Sequence, residues 1–200
     1  MTPLPKLSII EVNFDALIEH EGHLVILVGE DGKLEILGSQ INQLMKGALD
    51  RALASNDFKG LALGKVLLLS YPTGLKAQGL AIAKLNQDSG VEEVSACGVE
   101  IAKVVECKDI LILSGEFEKA ANLVEGLTLR NYNYLDQKTD NKSISFNLEV
   151  MVQSVEEHVD KINEKVAVVD GVFFTRDLIN APANVLTTSS FAEQLSALSD

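Results

Sequence analysis

The densest group of metal-competent side chains in this 200-residue chain is Glu19 to His23, EHEGH, with two histidines three apart and carboxylates among them. Imidazole and carboxylate at short spacing could hold a divalent ion. A zincin-type site, however, needs His-Glu-x-x-His on a helix, so that both rings fall one turn apart on one face. Here Gly22 interrupts the group and strand-like runs flank it, so the spacing predicts a solvated loop. A second stretch, Gly60 to Lys65 (GLALGK), hints at phosphate chemistry. A P-loop requires four residues between its glycines and a Ser or Thr after the lysine. This one has three between and Val66 after, and reads as the lead-in to a strand. Cys97 and Cys107 lie ten apart in apolar surroundings. They are expected to be buried, reduced thiols of a cytosolic protein, without a metal or redox role.

The remaining polar constellation is Phe174 to Phe191, FTRDLINAPANVLTTSSF, which sets Arg176, Asp177, Asn180 and Asn184 among Leu178, Ile179, Val185 and Leu186. It begins as the end of a helix, breaks at Ala181-Pro182, because a residue before proline is pushed out of the helical region, and restarts at a Thr/Ser run. That pattern is the chemistry of a junction between two units.

The elements that position these groups alternate. Lys6–Phe14 and Leu24–Val28 read as strands, with Glu30 to Lys33 as an Asp-Gly hairpin turn and Leu34–Leu37 as its partner strand. Ser39 is a candidate N-cap for one helix carrying Ile41, Leu44, Met45, Ala48, Leu49 and Ala52 at 3.6-residue spacing. Val66–Ser70 and Gly79–Leu85 read as strands around the Tyr71–Gly74 turn. Val91–Val105 is an apolar helix, Asp109–Leu113 a strand, and Gly115–Tyr134 a helix. Asp136–Lys142 is an exposed loop, and Ser143–Val152 alternates as a half-buried strand should. Ser154 opens a helix of more than twenty residues, with Val155, Val159, Ile162, Val166, Val169 and Phe173 as its apolar stripe and His158 on its surface. The whole predicts an α/β fold, helices packed on a largely parallel or mixed sheet, over residues 1–150. Residues 151–181 follow as a linker helix.

Composition narrows function. Hydrophobic content of 46% with 23% charged residues suits a globular protein. No signal pattern or apolar run of membrane-spanning length is present, so neither secretion nor a membrane is expected. The formal charge is −12, from 17 basic and 29 acidic residues, with no basic cluster. Phosphate contacts dominate nucleic-acid affinity, so a nucleic-acid partner is disfavoured.

Two segments carry a family resemblance. In Thr175 to Phe191, the residues Arg176, Asp177, Leu178, Ile179, Asn180, Pro182, Asn184, Leu186, Thr187 and Phe191, with Ala192 beyond, match an Arg-Asp-Leu-(Val/Ile)-Asn-x-Pro-x-Asn-x-(Leu)-Thr-Pro-x-x-Phe-Ala pattern. In Leu123 to Asp136, Glu125, Gly126, Leu129, Tyr132 and Tyr134 match a Glu-Gly-x-x-Leu-x-x-Tyr-x-(Phe/Tyr) pattern. Together, in this order, they resemble the leucyl aminopeptidase (cytosol aminopeptidase) family. Position 188 departs, being Thr where the family usually has Pro, and Thr188 or Ser189 could cap there instead.

The resemblance implies a macro-domain-like N-terminal domain, a linking helix, and residues 182–200 as the truncated start of a catalytic domain. It implies a cytoplasmic, hexameric enzyme that removes N-terminal residues from peptides. Two divalent metal ions (zinc, manganese or magnesium) would acidify a bridging water and polarise the scissile carbonyl. The motifs holding those ions are not in these residues. No catalytic, cofactor-binding or metal residue is therefore assigned here, and no activity is expected of this segment alone. Arg176, Asp177, Asn180 and Asn184 are expected to act structurally, on helix-end carbonyls and amides. The alternative is a stand-alone macro-domain-like module for ADP-ribose-type ligands. Its available loops, Tyr71–Gly74 and Ser114-Gly115, lack a convincing phosphate cradle.

Overall fold

A computed structural model describes residues 3–105, 109–134 and 146–198. Its frame is one six-stranded sheet in the order β1-β6-β5-β2-β4-β3. The strands are β1 (Lys6–Glu11), β2 (His23–Val28), β3 (Val66–Ser70), β4 (Gly79–Lys84), β5 (Ile110–Gly115) and β6 (Asn147–Val152). Five run parallel, and β3 alone is antiparallel, pairing with β4. Parallel strands need helical crossovers, which cover both faces, so the central strands are apolar throughout. Val25, Ala81, Ile110, Ile112 and Val150 pack with α5 (Val91–Val105), α6 (Ala120–Arg130) and α7 (Val155–Asn180). The alternate residues Leu24, Ile26, Leu80, Ile82 and Leu111 pack with α1 (Phe14–Glu19), α2 (Ile36–Leu44), α3 (Ala48–Ala54) and α4 (Asn56–Lys59). A final helix, α8 (Thr188–Ser196), buries none of its residues.

The fold is the expected α/β one with a mixed sheet and a long C-terminal helix, and several local readings change. Leu34–Leu37 is not a hairpin strand, because β2 is already paired on both sides, with β4 and β5. The Asp31-Gly32 turn still forms, with Gly32 at φ +67° and its N–H on the Gly29 carbonyl, but it leads into α2, capped at Glu35 rather than Ser39. The single helix expected from Ile41 to Ala52 is two, broken where Lys46 and Gly47 both take positive φ. The chain after β1 turns into α1, with the Asn13 side chain capping the Ala16 N–H at 3.1 Å. His158 is buried, not on the surface; its Nδ1–H donates to the Ser154 carbonyl at 3.0 Å. It shares the core stripe with Ile162, Val169 and Phe173. The expected loop at Asp136–Lys142, Cys107, and the first residues of the Ser143–Val152 strand lie outside the described residues.

Two further contacts fix the frame. Lys84, at the end of β4, is buried. Its Nζ donates to the carbonyls of Leu61 at 2.7 Å and of Phe58 and Lys59 at 3.3 Å each. A buried ammonium is tolerable when each donor has an acceptor. Helices α5 and α6 meet backbone to backbone at Gly98 and Gly126.

Candidate functional site

The residues first suspected of chemistry do not assemble into a site. Glu19 ends α1 and pairs with Lys76; His20 caps that helix; His23 is the first residue of β2 and is buried. Among the described residues, no three His, Cys, Asp or Glu side chains converge where they could hold a metal ion. In the GLALGK stretch, the Gly64 N–H bonds the Lys84 carbonyl at 2.8 Å and Lys65 pairs with Glu100 at 3.1 Å. Cys97 is fully buried, and burial, with Glu100 and Glu93 adding to it, pushes its thiol up to about 12. At neutral pH that thiol is inert.

Two other places bring functional side chains together. The first is a junction between α6 and α7, on the outer side of the helical layer. Tyr132, just past the end of α6, donates its hydroxyl to Asp177 Oδ1 at 2.8 Å and accepts from Asn180 Nδ2 at 3.1 Å. The Arg176 guanidinium lies over the Tyr132 ring, 3.8 Å from its centroid. Its Nη1 donates toward the Leu129 carbonyl at 3.5 Å, at the end of α6. Phe173 meets the same ring edge-on at 5.2 Å. Asn180 Nδ2 also reaches back to the Arg176 carbonyl at 2.8 Å, closing the last turn of α7. Burial raises the Tyr132 hydroxyl's pKa, so it stays a donor at neutral pH. Arg176 and Asn180 thus serve helix-end carbonyls, and the two sequence segments singled out above meet at Tyr132. Past the Pro182 break, Thr187 caps α8 and Ser190 completes a reciprocal capping box. Capping falls one residue before Thr188, which takes the first helical position, where proline also fits.

The second place is a cleft of about 320 Å³ at the carboxyl ends of the central strands. Open parallel sheets bind ligands there, outside the strand ends where loops diverge. Leu27, Leu85, Leu113 and Phe117 form its apolar walls, and Asp31, Lys33, Glu35, Asn86, Gln87 and Ser114 its polar lining. The loop after β2 is pinned across the mouth, with Asn86 Oδ1 accepting the Glu30 N–H at 3.0 Å. Gln87 Nε2 donates to Glu35 Oε1 at 3.1 Å, and Lys119 Nζ holds the Gln87 carbonyl at 3.2 Å. Asp31 pairs with Lys33 at 3.0 Å, and the Lys33 backbone N–H, then its ammonium, hold the carboxyl below the usual range. The Ser114 hydroxyl oxygen is buried and has no hydrogen-bond partner among the described residues. Sequence reasoning passed over Glu35 and Gln87, since nothing local marks them; only the fold brings their loops together.

Residues 25–141 match the family model for the N-terminal domain of the cytosol aminopeptidase family. The chain belongs to that family. The probable cytosol aminopeptidase of Cereibacter sphaeroides is 33% identical over 186 residues, covering 93% of this chain and 38% of the relative. That of Dinoroseobacter shibae is 33% identical over 200 residues, covering 100% and 41%. The chain therefore spans about two fifths of the length of these cytosol aminopeptidases. Among solved structures, the bottromycin maturation enzyme BotP in complex with Mn aligns at TM-score 0.60 and 16% identity, over 90% of this chain and 36% of that one. A mutant Oceanobacillus iheyensis macrodomain aligns at 0.58 and 14%, over 86% and 96%. The Trypanosoma brucei macrodomain in complex with ADP-ribose aligns at 0.57 and 13%, over 80% and 68%. The last two likenesses establish a macrodomain-like fold.

Proposed function

We propose that this chain forms the N-terminal portion of a cytoplasmic, metal-dependent aminopeptidase that releases N-terminal residues from peptides. In this reading, residues 1–150 are a macrodomain-like unit, α7 is the connector, and residues 182–200 open the catalytic domain. The observation that supports it is the lock at Tyr132. It joins the end of α6 to Arg176, Asp177 and Asn180, so the connector leaves the domain in one fixed direction. Around and beyond it, Ile179, Val185, Phe191, Leu195 and Leu198 are exposed on α7, on α8 and in the turns before and after α8. Such apolar surface suits packing against a further domain or neighbouring copies in a hexamer.

The metal pair (manganese, zinc or magnesium) has no candidate ligand set among the described residues, so the residues here do not fit it and no hydrolytic step is assigned to them. Their role is architecture and assembly. No helix among the described residues is long and apolar enough to cross a membrane. Incubating the 200-residue chain with leucine p-nitroanilide and manganese tests the proposal. Release of nitroaniline should not exceed the metal-only blank, and turnover like that of an intact aminopeptidase would refute the division of labour.

The likeness to a macrodomain holding ADP-ribose favours a second reading, a ligand-binding module. The charge of the cleft opposes it. Glu116 and Glu118 lie in the loop after β5, and Glu35 lines the opposite wall, where a diphosphate would need cations and amide donors.

A further inference from the structure

The sheet ends in β1 on one side and β3 on the other. An edge strand offers unpaired backbone groups to other chains, and proteins blunt it with charge or proline. β1 is blunted in this way: Pro5 precedes it, and Lys6 and Glu11 charge its exposed ends. β3, Val-Leu-Leu-Leu-Ser, carries neither a charge nor a proline.

The hydrogen-bonding groups of β3 divide by parity. The Lys84 N–H donates to the Lys65 carbonyl at 2.9 Å, and the Tyr71 N–H to the Gln78 carbonyl at 2.8 Å. Residues 65, 67, 69 and 71 therefore bond toward β4, and Val66, Leu68 and Ser70 turn their N–H and C=O groups outward. Among the described residues nothing bonds to those outward groups. Val66 and Leu68 pack on the α5 face of the sheet, Leu67 and Leu69 on the other, and all four stay only partly buried. A second observation falls at the same edge. Tyr71, directly after β3, is 79% exposed and sits at φ +50°. An aromatic residue in the left-handed region is strained, and strain kept at an exposed position points to a use for its side chain.

The occupant that fits is the same strand of a second copy, run antiparallel. Only residues 66, 68 and 70 face outward, so a bonded register must set these against one another. The fullest register places Leu68 of one copy opposite Leu68 of the other, on a two-fold axis. Val66 then faces Ser70, and Leu67 faces Leu69, so the partly exposed leucines cover each other. The next pair sets Lys65 against Tyr71, in both directions. Lys65 pairs with Glu100 yet leaves its side chain 52% exposed. It is the only charged residue from 65 to 71, so no like charges meet along the strands. An ammonium over an exposed tyrosine ring is attractive. The strand thus complements itself at each position, as an isologous contact requires.

We propose that β3 pairs with β3 of a second copy about an axis at Leu68, joining two sheets into one continuous sheet. This pairing is independent of the aminopeptidase reading and of the apolar surface on α7 and α8.

The test is sedimentation equilibrium of the 200-residue chain up to about 1 mM, with amide exchange followed by NMR at low and high concentration. One strand pair is a small interface, so the expected Kd is on the order of 200 μM. At about 1 mM, exchange at Val66, Leu68 and Ser70 should slow roughly threefold, while Leu67 and Leu69, already bonded to β4, keep their rates. Ser70→Pro removes an outward N–H at an exposed position, which an edge strand tolerates, and should weaken the dimer at least about tenfold. Tyr71→Gly suits the positive φ, so folding is safe, and loss of both ring contacts should weaken the dimer about fivefold. A monomer at about 1 mM would overturn the proposal. So would a dimer with unchanged exchange at Val66, Leu68 and Ser70, which places the contact elsewhere. Parent-like affinity in a folded Ser70→Pro chain, or in Tyr71→Gly, would do the same.

Discussion

Replacing Gly126 by alanine adds one methyl group where α6 crosses α5. In an open helix this exchange stabilises by about 1 kcal/mol, because glycine loses more backbone entropy on folding. Here a Cβ on Gly126 would lie 1.9 Å from the Ser95 carbonyl oxygen and 2.7 Å from its carbon. The contact is reciprocal, since a Cβ on Gly98 would lie 2.2 Å from the Leu123 carbonyl oxygen. Even close carbon–oxygen contacts run to about 3.3 Å. The helices must therefore part by more than about 1 Å, and both obstacles are backbone, which cannot swing aside. Parting them also loosens Val94, Cys97 and Ile101 against Leu123, Val124 and Leu127 in one buried cluster.

Overpacking costs typically about 1–3 kcal/mol and more when backbone shifts. After the propensity gain, Gly126→Ala should destabilise by about 2 kcal/mol. Gly171→Ala is the matched control: it lies inside α7, with nothing within 4 Å of an added Cβ. It should stabilise by about 0.5–1 kcal/mol. The chain has no tryptophan, so urea and thermal unfolding would be followed by far-UV circular dichroism. For a chain of this size the two variants should move Tm by about −6 °C and +2 °C. If Gly126→Ala is as stable as the parent, or both variants shift the same way, the backbone contact between α5 and α6 is not what the glycine is for.

Two further outcomes follow from buried groups. In a Cys107→Ser background, native Cys97 should react with Ellman's reagent at pH 8 at least about 100-fold more slowly than the unfolded chain. Its thiol rises from 9.0 to about 12 on folding. Below pH 9 both states hold the proton and stability is level; above it the unfolded chain releases the proton first, so stability falls by at most about 4 kcal/mol toward pH 12. The same alkaline loss in Cys97→Ala would exclude this origin. Tyr132→Phe removes two hydrogen bonds at the junction. It should cost about 1–2 kcal/mol and speed amide exchange in residues 176–181 while leaving the sheet protected; unchanged exchange there would show that Tyr132 is not the lock.

Much of this fold was legible because its signals are local. The runs HLVILV and GLAIAK carry their own burial on both faces, and α5 follows its apolar periodicity from end to end. What failed was pairing. Asp31-Gly32 makes the same turn whether a strand or a helix follows, and the decision lies with β4 and β5, which occupy both edges of β2 from far along the chain. His158 was readable in retrospect, since it precedes Ile162 by four residues on the stripe that continues through Val169 and Phe173. At the junction, Arg176, Asp177 and Asn180 were individually visible, but their convergence on Tyr132 is a tertiary fact. The cleft was the least legible, because Glu35 and Gln87 come from two loops and Ser114 from the end of β5, and none belongs to a motif.

The geometry of α7 explains why such a junction needs a lock. At 26 residues the helix is about 39 Å long. Its buried contacts, His158, Ile162, Val169 and Phe173, form a single stripe that reaches only to Phe173, leaving the last two turns without apolar anchorage. Tyr132 grips those turns through polar groups instead. One residue before the stripe positions, Val168 and Val172 are exposed, and Ile179 continues the same line. Each lies about 100° round the helix from the core face. A helix with a second apolar stripe at that angle is shaped to face two partners, one of which is the sheet domain. In the proposed aminopeptidase the other partner would be the catalytic domain or a neighbouring copy. The polar grip at Tyr132 then sets the angle at which that second face is presented.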